Sequence, residues 1–360
     1  MFGNLFGRQY AASRATILSE FDRDANETDF ESGHGSVWQA GQSGVLIRIE
    51  RLVNRVLRSP QPAFILNWKG TGGPEIVETS IGRRLREVLP FTSHFGSGHT
   101  YSEQPLAFLH ACWLIGSVHG LDLSQLPIPP TALGPREAEA LNDVVARIRM
   151  SACEPWYARI PGDRSYEARQ RARTVAEYTA SILSYYARTM VVRLDLSYLQ
   201  RARCGLTIDQ VYDHLDRLRY LVEVHPMFEC LVGYAWCIEQ GEWDGYHIHG
   251  IFFFDGSKEC RDVHKGFEIG GLWQNDITGG AGHYENCNAH KERYPRLGIG
   301  MIHRNDPEQC LTCIDVMQYI AKDDGQHLRI KPNGRRIFGT GRAPDLADKR
   351  GRPPVSMRTF

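Results

Sequence analysis

The chain has 360 residues, with 42 Lys and Arg against 42 Asp and Glu, and a formal net charge of zero. Its 42% hydrophobic and 23% charged residues suit a folded chain with a sizeable core, and exclude a charge-driven disordered chain or a uniformly basic nucleic-acid coat. The most apolar window, Pro105 to Leu123, is broken by His110, Ser117 and His119, so no membrane span or membrane partner is expected. The opening residues, MFGNLFGRQYAASR, lack the apolar core of a signal peptide. Nine cysteines fall in no framework, so free thiols in a cytoplasmic, reducing compartment are expected.

Residues 1 to about 35 are polar. Helical spacing follows in Gly44–Arg58, carried by Ile47, Ile49, Leu52, Val53 and Val56. The proline-rich stretch Ser124–Gly134 reads as a boundary. It divides a mainly helical N-terminal region, 1–125, from a linker at 126–136 and a domain at 137–328. Helices are predicted over Pro135–Met150 and Ser165–Arg188. Val191–Tyr198 then alternates strictly: Arg193, Asp195 and Ser197 share one face, and Val192, Leu194, Leu196 and Tyr198 the other. Thr207 and Gln210 form a capping-box pattern ahead of a helix with the stripe Ile208, Val211, Leu215, Leu218 and Val222.

Two strand-like runs follow, Leu231–Glu239 and Tyr246–Phe254, joined by a loop. A helix is predicted at Asp262–Trp273 and a strand at Ile299–Arg304, with an irregular insert over Gly279–Leu297. The order β-α-β-β-α-β predicts an α+β fold: a ferredoxin-like or RRM-like antiparallel sheet with helices on one face. Asp306-Pro307-Glu308-Gln309 starts a further helix, expected to run to about Asp324 with an apolar stripe at Leu311, Ile314, Met317 and Ala321. From Gly325 onward nine Lys and Arg face two Asp, so residues 329–360 read as a basic tail.

The chemistry gathers on the hairpin. His247 and His249 flank one residue on a strand, so their imidazoles share a face. Glu239 closes the small-residue face Gly233, Ala235, Cys237, and becomes a third ligand only if the register sets it opposite His247 or His249. Tyr319 and Lys322 sit one helical turn apart on a polar face with Asp315 and Gln318. A divalent cation beside a tyrosine hydroxyl is the equipment for cutting a phosphodiester through a covalent ester. A zinc-stabilised, non-catalytic DNA-binding module is the alternative, with His283, Cys287, His290, Cys310 and Cys313 as candidate ligands. A cupin reading of Gly241 and the two histidines lacks the expected glutamate, since Phe252–Phe254 stand there.

GYHIHGIFFF resembles the histidine–hydrophobe–histidine motif of the HUH endonucleases, VVRLDLSY their first motif and QYIAK their Tyr-x-x-Lys motif. With VGYAWCIEQGEWDGYHIHGIFFFDGSK, LWQNDITGGAGHYENCN, GIGMIHR and YIAKDD, the stretch from Met190 to Gly341 resembles replication initiators of the inovirus gene 2 type, encoded by filamentous phages and related prophages. The resemblance implies a rolling-circle nickase. His247 and His249, with Glu239, would bind Mg²⁺ or Mn²⁺. Tyr319 would be the nucleophile and Lys322 its assistant. It implies a 5′-phosphotyrosine link, a free 3′-hydroxyl, single-stranded or supercoiled origin DNA as substrate and a host replication helicase as partner. Arg193, Arg335 and Arg336 are the cations expected to meet DNA.

Overall fold

A computed structural model of the chain describes residues 41–68, 73–126, 132–320 and 326–344. Its first helix, α1 (Gly41–Arg58), buries Ile47, Ile49, Leu52, Val53 and Val56, the stripe expected from their spacing, and Val45 and Leu46 as well. A two-stranded antiparallel hairpin follows, β1 (Phe64–Asn67) and β2 (Glu75–Glu78). Helix α2 (Ser80–Val88) is capped by Thr79, whose hydroxyl accepts from the amides of Ile81 and Gly82. A short strand, β3 (His99–Tyr101), leads into α3 (Glu103–His119). Helices α4 (Pro135–Ala152) and α5 (Pro155–Tyr185) complete a mainly helical first half.

Then come β4 (Arg188–Tyr198), α6 (Ile208–Val224), β5 (Leu231–Gly241), β6 (Gly245–Asp255) and α7 (Asp262–Gly271). Two short strands, β7 (Gly282–Asn286) and β8 (Gly300–His303), precede α8 (Pro307–Ile320), and β9 (Ile330–Pro332) and β10 (Phe338–Thr340) follow it. The architecture is α+β. The central sheet is antiparallel, in the order β10-β5-β6-β4-β7, with β8 on the same edge of β4 as β7. The expected fourth strand is β8. The insert expected to be irregular contributes β7, which pairs with Leu194–Tyr198, while β8 pairs with Arg188–Val191. Two short strands thus share one long edge.

The expectation of helices on one face is corrected: they cover both. The even residues Met190, Val192, Leu194, Leu196 and Tyr198 pack with Ile248, Phe252 and Phe254 under α6, whose capping box at Thr207 and Gln210 forms as expected. On the other face Val191, Ala235, Ile251 and Phe253 are also apolar and need cover. Val175, Tyr178 and Ile182 of α5 supply it, with Cys313 and Met317 of α8. The small residues of β5 make that approach possible. A Cβ on Gly233 would stand 2.5 Å from the Ile182 side chain and 2.6 Å from the Tyr178 hydroxyl. Next to it a bulge shifts the β5–β6 register between Leu231 and Gly233, and the Tyr178 hydroxyl accepts the Tyr234 amide at 3.1 Å.

Helix α8 begins as its sequence dictates, with the Asp306 carboxylate accepting from the Gln309 amide at 3.0 Å. Its buried stripe differs from the expected one. Leu311 is 63% exposed, and Cys313 takes the inward position with Met317. The reason is close contact with the chain at Gly298, where an added Cβ would lie 2.8 Å from Val316 and 3.0 Å from the Cys313 backbone. The front of the basic tail is not loose chain: β9 pairs with β3, and β10 with β5.

The N-terminal helices are joined to the sheet by polar contacts. The Gln42 side-chain oxygen accepts from the Ile208 amide and the Tyr246 hydroxyl. Gln240 donates to the carbonyl and hydroxyl of Ser43. The described residues belong to one compact unit.

Candidate metal centre

The β5–β6 register places Glu239 opposite His247 and Cys237 opposite His249. Facing residues in an antiparallel pair project to one side, so the condition for Glu239 as a third ligand is met. The centre lies on the same face as α5, beyond the apolar half of that face. Glu239, His247 and His249 are 8%, 7% and 4% exposed. One ligand atom from each lies within 4.8 Å of the other two, the sole such three-residue group among the described residues.

The outer hydrogen bonds aim both imidazoles. His247 Nδ1 lies 3.2 Å from the Gly245 carbonyl oxygen, which only accepts, so Nδ1 carries a hydrogen and Nε2 is the ring atom turned toward Glu239. His249 Nδ1 donates to Asp195 Oδ1 at 2.6 Å, on the neighbouring strand β4, where Asp195 pairs directly with His249. Both Nε2 atoms then face Glu239 Oε2, at 3.5 Å from His247 and 3.0 Å from His249. A cation with bonds of about 2.1 Å holds neighbouring ligand atoms about 3.0–3.4 Å apart. The observed spacing fits a bound ion, with each ring held by an outer partner as metal-bound histidines are.

The electrostatics point the same way. Burial opposes charge on His249, but Asp195 and Glu239 outweigh it and raise its pKa to about 9. Burial likewise opposes ionisation of Glu239, and the two imidazoles overcome it, bringing its pKa down to about 2. Asp195 is also held well below the ordinary carboxylate range: the cost of burial is exceeded by Arg193, then His249. Two carboxylates gathered on buried imidazoles make a cavity that favours positive charge, supplied by a proton or by a metal ion.

Of the other expected site residues, Arg193 is 6% exposed and pairs with Asp195 at 3.2 Å. It supports the centre from behind rather than facing solvent. Arg335 bridges Asp216 at 2.6 Å and lies over the Tyr212 ring, while Arg336 is exposed. Tyr319 is the penultimate residue of α8, and Lys322 and Ala321 lie outside the described residues. The cysteine and histidine set is not drawn together as a zinc site among the described residues. Cys287 and Cys313 sit in the apolar core under α5, and burial pushes both thiols up, Cys287 to about 11. Such thiols stay protonated and make poor ligands. The residue sequence reasoning missed was Asp195. Its signal was present in the strict alternation of β4, which puts it on the ligand face.

The protein is thus an α+β protein with a buried Glu-His-His cluster on an antiparallel sheet that could hold a cation. Residues 163–341 match the family described as the YagK/YfjJ C-terminal domain, a span that starts within α5 and ends just past β10. No curated protein and no solved structure matches the chain.

Proposed function

We propose that the protein is a metal-dependent single-strand DNA endonuclease of the rolling-circle initiator type. The observation that carries this reading is the convergence of Glu239, His247 and His249, with both imidazoles aimed by outer hydrogen bonds. The strand order β5-β6-β4-β7, reached through β-α-β-β-α-β connections, supports a ferredoxin-like core of the HUH type beneath it. Mg²⁺ or Mn²⁺ suits a mixed carboxylate and imidazole set better than the thiolate-rich surroundings of structural zinc.

When bound, such an ion would polarise the scissile phosphate and offset the charge that develops on it. Glu239, His247 and His249 would hold it, Asp195 and the Gly245 carbonyl orient the rings, and Arg193 keeps Asp195 ionised. The Tyr319 oxygen forms a bond to phosphorus and the bond to the 3′ oxygen breaks. The strand stays on the protein as a 5′-phosphotyrosine ester, and the 3′ oxygen leaves as a hydroxyl after taking up a proton. Free tyrosine has a pKa of about 10, so Lys322 is assigned to favour the attacking oxyanion. Origin DNA is the substrate on this reading, a replication helicase of the host the downstream partner, and the host cytoplasm the place of action.

The test is incubation of the protein with single-stranded oligonucleotides from its own replicon, with Mn²⁺ or with a chelator. Cleavage that needs the ion and disappears in the His247→Ala, His249→Ala double variant is the expected result. Cleavage that persists in the folded double variant overturns the assignment.

A further inference from the structure

A cleft opens at the edge of β5 beside Glu239. Its walls are the first half of α5, the chain around Tyr101 and Ser102, and the segment from Gln326 to Lys331. Two of its polar groups lack partners. Ser102 is 6% exposed, and its buried hydroxyl makes no hydrogen bond; neither does the buried Nε of Arg171. Orphaned buried polar atoms are uncommon, and each is unfavourable until something satisfies it.

The charges around them are uneven in strength of pairing. Arg164 is held by a two-point bond to Glu103, at 2.8 and 3.0 Å. Arg171 meets Glu167 only at 3.9 Å, through Nη1, and Glu167 is 62% exposed at its side chain. Asp163 is occupied by Arg159 at 3.6 Å, and Glu239 by the imidazoles. Lys331 makes no ion pair among the described residues. The cleft therefore offers a guanidinium edge, a hydroxyl and an ammonium to a ligand; of its acids, Glu239 is held by the imidazoles, and Asp163 and Glu167 are solvent-exposed. A hydroxyl donor beside a guanidinium and an ammonium is the chemistry of phosphate recognition.

We propose that this cleft is a phosphate-binding subsite. It takes a backbone phosphate of the DNA strand adjacent to the one held at Glu239, His247 and His249. This inference rests on the nuclease reading of that centre. Ser102 and Arg171 fix the phosphate, and Lys331 adds charge from β9. The strand then crosses the edge of β5 with one phosphate at the metal ligands and the next in the cleft. Such a contact orients the strand without reading its bases.

The test uses the full chain, a non-cleaved single-stranded oligonucleotide and Mn²⁺, with binding followed by fluorescence anisotropy over a salt series. The Arg171→Met, Lys331→Met double variant is expected to bind roughly ten-fold more weakly. Its logarithmic salt slope should flatten by about 0.7, the value for one single-strand phosphate contact. Lys331→Arg should retain the slope, and calorimetric Mn²⁺ binding should stay unchanged in both variants. Inorganic phosphate is tested in parallel, by thermal shift on wild type and double variant. A thermal shift that depends on Arg171 and Lys331, with oligonucleotide binding unaffected, overturns the strand assignment in favour of free phosphate. Unchanged affinity and slope in a protein that cleaves DNA overturn the subsite alone. Variant-sensitive binding by a protein that never cleaves supports the subsite and counts against the nuclease.

Discussion

The two faces of the central sheet use the same strands for opposite ends. Under α6 and α7 the face is apolar along its whole length, from Met190 to Tyr198 on β4 and from Ile248 to Phe254 on β6. The other face is divided. Val191, Ala235, Ile251 and Phe253 pack under α5 and α8, and a few residues along the same strands stand Arg193, Asp195, Glu239, His247 and His249. The comparison shows how a buried charged centre is kept rigid. Its backbone is that of a sheet already fixed by the apolar face, so the ligands need only the alternation of side chains and a register.

The strongest way to break this picture is to hollow the apolar half. Phe253→Ala should destabilise the fold by about 3–5 kcal/mol, measured by denaturant unfolding, because Phe253 is fully buried between Tyr178 and the sheet. A cost under 1 kcal/mol would mean that α5 does not close that face.

A second variant compares a paired carboxylate outside the centre with those within it. Glu103 is buried against Arg164, whose hydrogen bonds outweigh the penalty of burial and lower its pKa. A carboxylate depressed in the fold stabilises it above its unfolded pKa, about 4.3, and that contribution is lost as pH falls through the lower folded value. Glu103→Gln should therefore cost about 3 kcal/mol at pH 7 and progressively less as the pH drops below about 4, read from unfolding curves across pH. A penalty that is constant from pH 7 to pH 2 would contradict the pairing.

Asp195→Asn then sharpens the contrast within the divided face. It keeps the shape beside His249 and removes the charge that fixes its Nδ1 hydrogen. Mn²⁺ affinity should fall about 10- to 100-fold by calorimetry, and stability should fall as well, because the buried Arg193 loses its charged partner. The smallest effect is expected on the outer side of α8, where Leu311→Ser should shift stability by less than about 0.5 kcal/mol because Leu311 faces solvent.

Much of the divided face was legible in the sequence because it rests on period-two alternation. His247, His249 and Glu239 follow from a strand pattern and a hairpin, and the loop between them is short enough to fix the register. Capping at Thr207 and Asp306 was legible for the same local reason. What escaped depends on contacts distant in the chain. The burial of Cys313 in place of Leu311 is decided by Gly298, and β9 pairs with β3 across some 230 residues. The cleft is built from residues near 102, 171 and 331, which no local pattern brings together. The same distance hid α5 as the cover of the second face, although a helix was expected over Ser165–Arg188, where the structure has it over Pro155–Tyr185.

The account's central claim is that the polar half of this face is a metal centre serving a tyrosine nucleophile. The most direct measurement is a denaturing gel for covalent protein–DNA adducts, formed with single-stranded origin oligonucleotide and Mn²⁺, comparing wild type with Tyr319→Phe. The account predicts an adduct for wild type that vanishes on chelation and in Tyr319→Phe, with a free 3′-hydroxyl on the released strand. An adduct formed undiminished by Tyr319→Phe would contradict it, and peptide mapping of that adduct would show which residue attacks instead.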